Sequence, residues 1–305
     1  MSGGTSGGTS DGTRTGNGDR LVYLCYGEGP IVAETEFSIV SSFRLDPEPA
    51  HEVVVYTDHP EHFAHLPVRV EPLSAETLAA WSGPDGYAHR RKLECVAHAL
   101  REATGRVVFV DGDTWFRRPP RELFERVDAR HALMHVRENT LRASRIDYNV
   151  ELADHLSTHR FEDSTGRPYD FTADPPSWNS GVIGLLPEHA PLVREALGLL
   201  DRLQPAGLRL HTLEQFALGI ALEQALTVRE AIDVVYHYWQ TEIRHPAAGR
   251  VQATLERTRG ADLPTRARAL HRVRPRAHGR RRARALLSGA LAALGVRRPA
   301  VRANA

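Results

Sequence analysis

The chain has 305 residues, 41% of them apolar and 25% charged, with a formal net charge of +1. These proportions exclude a wholly disordered, collagenous or membrane-embedded protein, and the length suffices for a large α/β domain with a buried core. Of the 39 Lys and Arg residues, 12 fall in residues 265–305, which hold no Asp or Glu. The body is therefore net acidic, which argues against a nucleic-acid-binding face and leaves any polyanion affinity to the tail.

Residues 1–19 are mostly Gly, Ser and Thr and read as a flexible tail outside the fold, with no apolar run that resembles a signal peptide. RLVYLCYG from Arg20 predicts a strand, a glycine-containing loop follows, and AETEFSIVSSFR predicts a helix. HEVVVYTD and LPVRVEPL predict two more strands. From Tyr87 onward, Leu93, Val96, Ala97, Leu100 and Ala103 recur at helical spacing up to Gly105, and RVVFV is a fourth strand. This alternation predicts an α/β fold with a mostly parallel sheet flanked by helices, whose ligands bind at the carboxyl ends of the strands, where Asp58 and Asp111 fall.

Residues 138–176 are polar, with ENTLRASRIDYNVELADHL as the clear helix candidate, and read either as an inserted helical lobe on the acceptor side or as a solvated excursion. SWNSGVIGLLP predicts a strand, PEHAPLVREALGLLDRL and HTLEQFALGIALEQAL predict helices, and IDVVYHYW closes a body that spans residues 20–260. The basic tail, 261–305, reads as a solvated segment or as an amphipathic anchor for an anionic membrane face. Its apolar stretch Leu286–Val296 is too short to span a bilayer. Cys25 and Cys95 lack partners at metal-ligand spacing, which points to a reducing cytoplasm.

The segment VVFVDGDTWF carries the most chemistry. It delivers Asp111 and Asp113 at a strand end, and a turn at Gly112 would let both carboxylates serve one hard cation, Mg²⁺ or Mn²⁺. An Asp-Gly turn between strands is the structural alternative. Arg91 and Lys92 lie in the preceding helix, placed either to reach a diphosphate or to form a solvated face. Asn179 offers an amide at a strand start, and Gly181 lets backbone approach a ligand closely. Glu214 and Gln215 open a helix, and His237, among apolar neighbours, is a metal ligand or a core histidine.

In this order the motifs resemble the GT-A glycosyltransferases of the nucleotide-diphospho-sugar transferase superfamily, and are similar to the family eight type, over roughly residues 20–245. They comprise LCYGEG with Tyr26, a basic residue before the DGD strand, DGD itself, Asn179-Ser180-Gly181, the Glu214-Gln215 pair and the late His237. The chain departs from the pattern in YHYWQTE, which lacks the Gly and Lys that usually follow the His, and in carrying Glu where Asp is commoner before the Gln. The resemblance implies an enzyme that uses Mn²⁺ or Mg²⁺ to move a sugar from a nucleotide-diphosphate donor to a glycan or lipid-linked hydroxyl acceptor. It implies Asp113 as direct metal ligand, Asp111 on the ribose or donor sugar and the metal, His237 completing the metal site, and Asp58 at the nucleobase. Glu214, Gln215 and Asn179 would face the reacting centre. Glu214 is the base if the reaction inverts, whereas retention needs none. Two rivals are a haloacid-dehalogenase-like phosphatase, which also places two Asp two residues apart after a strand, and a non-catalytic sugar-nucleotide-binding adaptor of the same fold.

Overall fold

A computed structural model of the chain describes residues 18–144, 147–171, 173–204 and 212–275. Most of the N-terminal tail (1–17) and of the basic tail (276–305, with the Leu286–Val296 stretch) lies outside the described residues. The first half runs β1 (Arg20–Cys25), α1 (Pro30–Leu45), β2 (Glu52–Thr57), β3 (Arg69–Pro72), α2 (Ala75–Trp81), α3 (Arg90–Glu102), β4 (Val107–Val110), β5 (Thr114–Phe116) and α4 (Arg121–Phe124). The second runs β6 (His131–Thr140), α5 (Asp147–Thr158), β7 (Pro176–Leu185), α6 (Ala190–Leu203), α7 (Leu213–Glu223), β8 (Thr227–Glu230), β9 (Val235–His237), α8 (Thr241–Arg257) and α9 (Leu263–Val273).

Seven strands form one mixed sheet in the order β3-β2-β1-β4-β7-β6-β8. All neighbours pair in parallel except at β7, which runs antiparallel to both β4 and β6. The mostly parallel α/β sheet expected from the strand and helix alternation is therefore present. Its central strands are near-continuous apolar runs because both faces are covered. Alternate residues feed two cores: Val22, Val54, Tyr56 and Phe109 join α3, α6 and α7 on one face, while Tyr23, Val55, Val108 and Val110 join α1, α8 and α9 on the other.

Three features differ from the sequence expectation. Glu138–Thr140 belong to β6, so the helix of the 138–176 stretch starts only at Asp147. That stretch is also no solvated excursion, since Leu152, Leu156, Phe161 and Tyr169 are buried in the first core. IDVVYHYW does not close the body: β9 pairs with β5 beside the main sheet, and α8 and α9 then return over α1. Ala267 and Leu270 of α9 are buried in the second core, and Arg266 pairs with Glu36 of α1. Packed structure thus runs past residue 260, where the basic tail was expected to begin. This second cover explains how α1 buries Glu34, Thr35, Glu36 and Ser38 along with its apolar residues.

Candidate metal centre

Asp111 leaves the end of β4 with its N–H donated to the Gly181 carbonyl of β7 at 3.0 Å. The chain bends at Gly112, but not through a positive φ. A Cβ at Gly112 would lie 2.3 Å from Thr35 Oγ1, so glycine is required by the close approach of α1. Asp113 then accepts the Tyr238 N–H on its carbonyl at 3.0 Å, and the β5–β9 register sets Thr114 opposite His237. Two backbone constraints thereby bring a residue 124 positions further along the chain against the DGD bend.

His237 Nε2 lies 3.1 Å from Asp113 Oδ1 and 3.8 Å from Asp111 Oδ2. One donor atom from each of the three residues falls within 4.8 Å of the others. The opposite ring nitrogen, His237 Nδ1, is 2.9 Å from Asn179 Oδ1. That oxygen also accepts the Gly181 N–H at 2.9 Å, which fixes the amide orientation, while Asn179 Nδ2 donates to Glu138 Oε1 at 3.3 Å. Nδ1–H is therefore the donor to Asn179, which leaves Nε2 facing the two carboxylates, a donor to them when protonated and a ligand to a cation held between them when not. A polar partner that orients the ring from behind is the usual setting of a ligating histidine. Gly181 serves this arrangement directly, because a Cβ there would lie 2.3 Å from His237 Nδ1. It makes room for the imidazole.

Around this trio, Lys92 Nζ donates to Asp111 Oδ2 at 2.8 Å and Ser180 Oγ at 3.1 Å, and stands 4.0 Å from Glu214 Oε1. Burial alone would lower the Lys92 ammonium, but Asp111 and Glu214 outweigh it and hold it above its ordinary value. Arg244 of α8 pairs with Asp113 Oδ2 at 3.0 Å and with Glu34 Oε2 at 2.6 Å. Burial acts to raise Asp113, yet His237 and Arg244 hold its carboxyl well below the usual range. Glu34 is raised by burial in spite of Arg244. His135 lies edge-on to His237, with ring centroids 5.4 Å apart, and burial pushes it down to about 4. Asp111, Asp113 and Glu214 thus converge with Lys92 and Arg244, and the carboxylate oxygens at the centre suit a hard divalent ion.

The fold gathers Asp111, Asp113, His237, Asn179, Gly181, Lys92, Glu214 and Gln215 into this cluster. Glu214 is only 2% exposed; its carboxylate accepts from Tyr87 OH at 2.7 Å and Ser180 Oγ at 3.3 Å. This engagement makes it a support for Lys92. Gln215 Oε1 accepts the Ser180 N–H at 3.4 Å. Tyr26, Arg91 and Asp58 form a separate group at the carboxyl ends of β1 and β2. The Arg91 guanidinium lies over the Tyr26 ring at 4.6 Å and donates to Leu78 O and Ser82 Oγ. Asp58 accepts the Gly27 N–H at 3.0 and 3.1 Å, which holds the loop after β1.

Sequence reasoning missed Arg244, Glu34, Tyr87 and Glu138. Glu34 and Glu36, set in the otherwise apolar and small-residue run of α1, are the one sequence hint of a late basic partner, and no spacing marks it. No protein-family model matches the chain, and no curated protein matches it. No described helix is long and apolar enough to cross a membrane.

Proposed function

We propose that the chain is a metal-dependent glycosyltransferase of GT-A type that moves a sugar from a nucleotide-diphosphate donor to a hydroxyl on a glycan or lipid-linked acceptor. The observation that carries this reading is the convergence of Asp111, Asp113 and the oriented Nε2 of His237 at the carboxyl end of β4. From β1 the chain builds outward through β2 and β3, then returns to place β4 on the other side of β1. Ligands of open α/β sheets bind in the crevice at such a switch point. The loop held by Asp58 follows β1 and the carboxylate–histidine trio follows β4, the two strands that flank the switch point.

Asp111, Asp113 and His237 would hold Mn²⁺ or Mg²⁺, which would neutralise the diphosphate as it leaves. Lys92 places a fixed positive charge beside Asp111. Arg244 does the same for Asp113. Asn179 fixes the His237 tautomer, and Glu214 with Tyr87 holds Lys92 in place. Glu214 is engaged on both oxygens, so a dedicated base is lacking among the expected residues, which supports retention of anomeric configuration. A cytoplasmic location, with the arginines beyond Arg266 touching an anionic membrane face, belongs to the same proposal.

The test is a screen of nucleotide sugars with and without Mn²⁺, on wild type and Asp113→Asn, reading thermal stabilisation and donor hydrolysis. Stabilisation and turnover by one donor, dependent on both metal and Asp113, is the expected result. Hydrolysis of a phosphate ester through Asp111 with no nucleotide-sugar binding overturns it in favour of a phosphatase. Metal-dependent binding without turnover leaves an adaptor.

A further inference from the structure

We infer that the short 3₁₀ turn after β2 carries a second metal site, in which His59, Glu61 and His62 bind a late first-row divalent cation of the zinc type. The backbone fixes the three together. His59 is held by its N–H to Thr57 Oγ1 at 3.1 Å, Pro60 opens the turn, and the His62 N–H closes it on the His59 carbonyl at 3.1 Å. In a 3₁₀ turn residues three apart eclipse one another, and the two imidazole centroids are indeed 5.4 Å apart. Glu61 Oε1 lies 3.1 Å from His59 Nδ1 on the same side. One donor atom from each residue falls within 4.8 Å of the others. In a tetrahedral shell with bonds of ~2.1 Å the donors stand about 3.4 Å apart, so small side-chain rotations close the site without moving the backbone.

The donor set decides the ion. Two imidazoles and one carboxylate suit a borderline cation, whereas the carboxylate-rich trio at Asp111 and Asp113 suits a hard one. Three protein ligands leave a position for water. The site is independent of the transferase reading, because none of its ligands touches the centre at β4. It stands one residue beyond Asp58, so a bound cation would stiffen the segment that holds the loop after β1.

The experiment uses the full chain, stripped with chelator and dialysed against micromolar Zn²⁺ with millimolar Mg²⁺ present to occupy hard-cation sites. Zinc per chain is counted by elemental analysis. Wild type and Asp113→Asn should each retain an equivalent that His62→Ala loses, with at least a 10-fold drop in zinc affinity. The chain has 16 His, so the control is His159→Ala, which breaks the stacked His155–His159 pair on α5 and should leave that equivalent in place. Circular dichroism confirms that each variant is folded; the ligands are surface groups, and Glu61→Gln provides a milder second variant. The site is refuted if His62→Ala and Glu61→Gln bind as wild type does, if wild type holds no zinc, or if His159→Ala removes as much as His62→Ala.

Discussion

Gly181 and His237 share one space: the imidazole occupies the volume that a side chain at 181 would need, 2.3 Å from the position of a Cβ. The same glycine passes its N–H to Asn179 Oδ1, the atom that receives His237 Nδ1–H. Gly181→Ala should therefore push the ring off Asn179 and lower Mn²⁺ affinity by about 10- to 100-fold, the range seen when support behind a ligating histidine is lost. Isothermal titration with Mn²⁺ checks this. Unchanged affinity would remove His237 from the metal site.

Replacing Arg244 exposes the buried charge it compensates. Glu34 is fully buried and Asp113 nearly so, and both pair with this guanidinium. Breaking a fully buried pair costs about 3–5 kcal/mol, and the one-third exposure of Arg244 reduces this to about 2 kcal/mol for Arg244→Ala. Adding Glu34→Gln should recover part of the loss by removing one orphaned charge. Urea denaturation of the two variants measures both. An equal loss with and without Glu34→Gln would mean the pair acts through packing alone.

At Gly112 the constraint is steric and has a specific relief. Gly112→Ala places a methyl against Thr35 Oγ1 and should cost about 1–3 kcal/mol, typical of overpacking. Thr35→Ala in the same chain removes the oxygen and should restore a large share of the melting temperature. If the double variant is no more stable than Gly112→Ala, the backbone conformation of the bend is what requires glycine.

Away from the site, His51 gives stability a pH dependence of known sign. It is 7% exposed, packs on Phe124 at 4.8 Å, and burial pushes its value down to about 4 from 6.5, with Asp46 and Asp19 acting the other way. The folded state thus prefers the neutral ring. Stability from this group is complete above pH 6.5 and declines as the pH falls toward 4, by about 3 kcal/mol at most. Melting curves between pH 7 and pH 4 should fall less steeply for His51→Gln than for wild type. Parallel slopes would show that other groups govern the decline.

The sheet was legible where burial on both faces writes an uninterrupted apolar run, as in β1, β2, β4 and β7, and α3 was legible from its helical spacing. β6 was not, because its second half is exposed and polar. Nor was α8, whose TEIRHPAAGRVQATLER shows little apolar periodicity. Within the cluster, the carboxylates stood out through the strand that ends on them, and Asn179, Glu214 and Gln215 through their order. What remained hidden was partnership across long sequence separations. The β5–β9 pairing that aims His237, and the arginine that reaches back to α1, depend on which helix covers which face. The same blindness hid a second property of Gly112 and Gly181, each of which makes room for a side chain far away in sequence.

The link between Arg244 and Glu34 spans 210 residues, and this gives the fold a history during synthesis. At about 5–20 residues per second, α1 is made some 10–40 s before its guanidinium partner is translated. During that interval Glu34 and Glu36 have neither Arg244 nor Arg266 to neutralise them. The face of α1 that α8 and α9 cover therefore stays open until those helices are made.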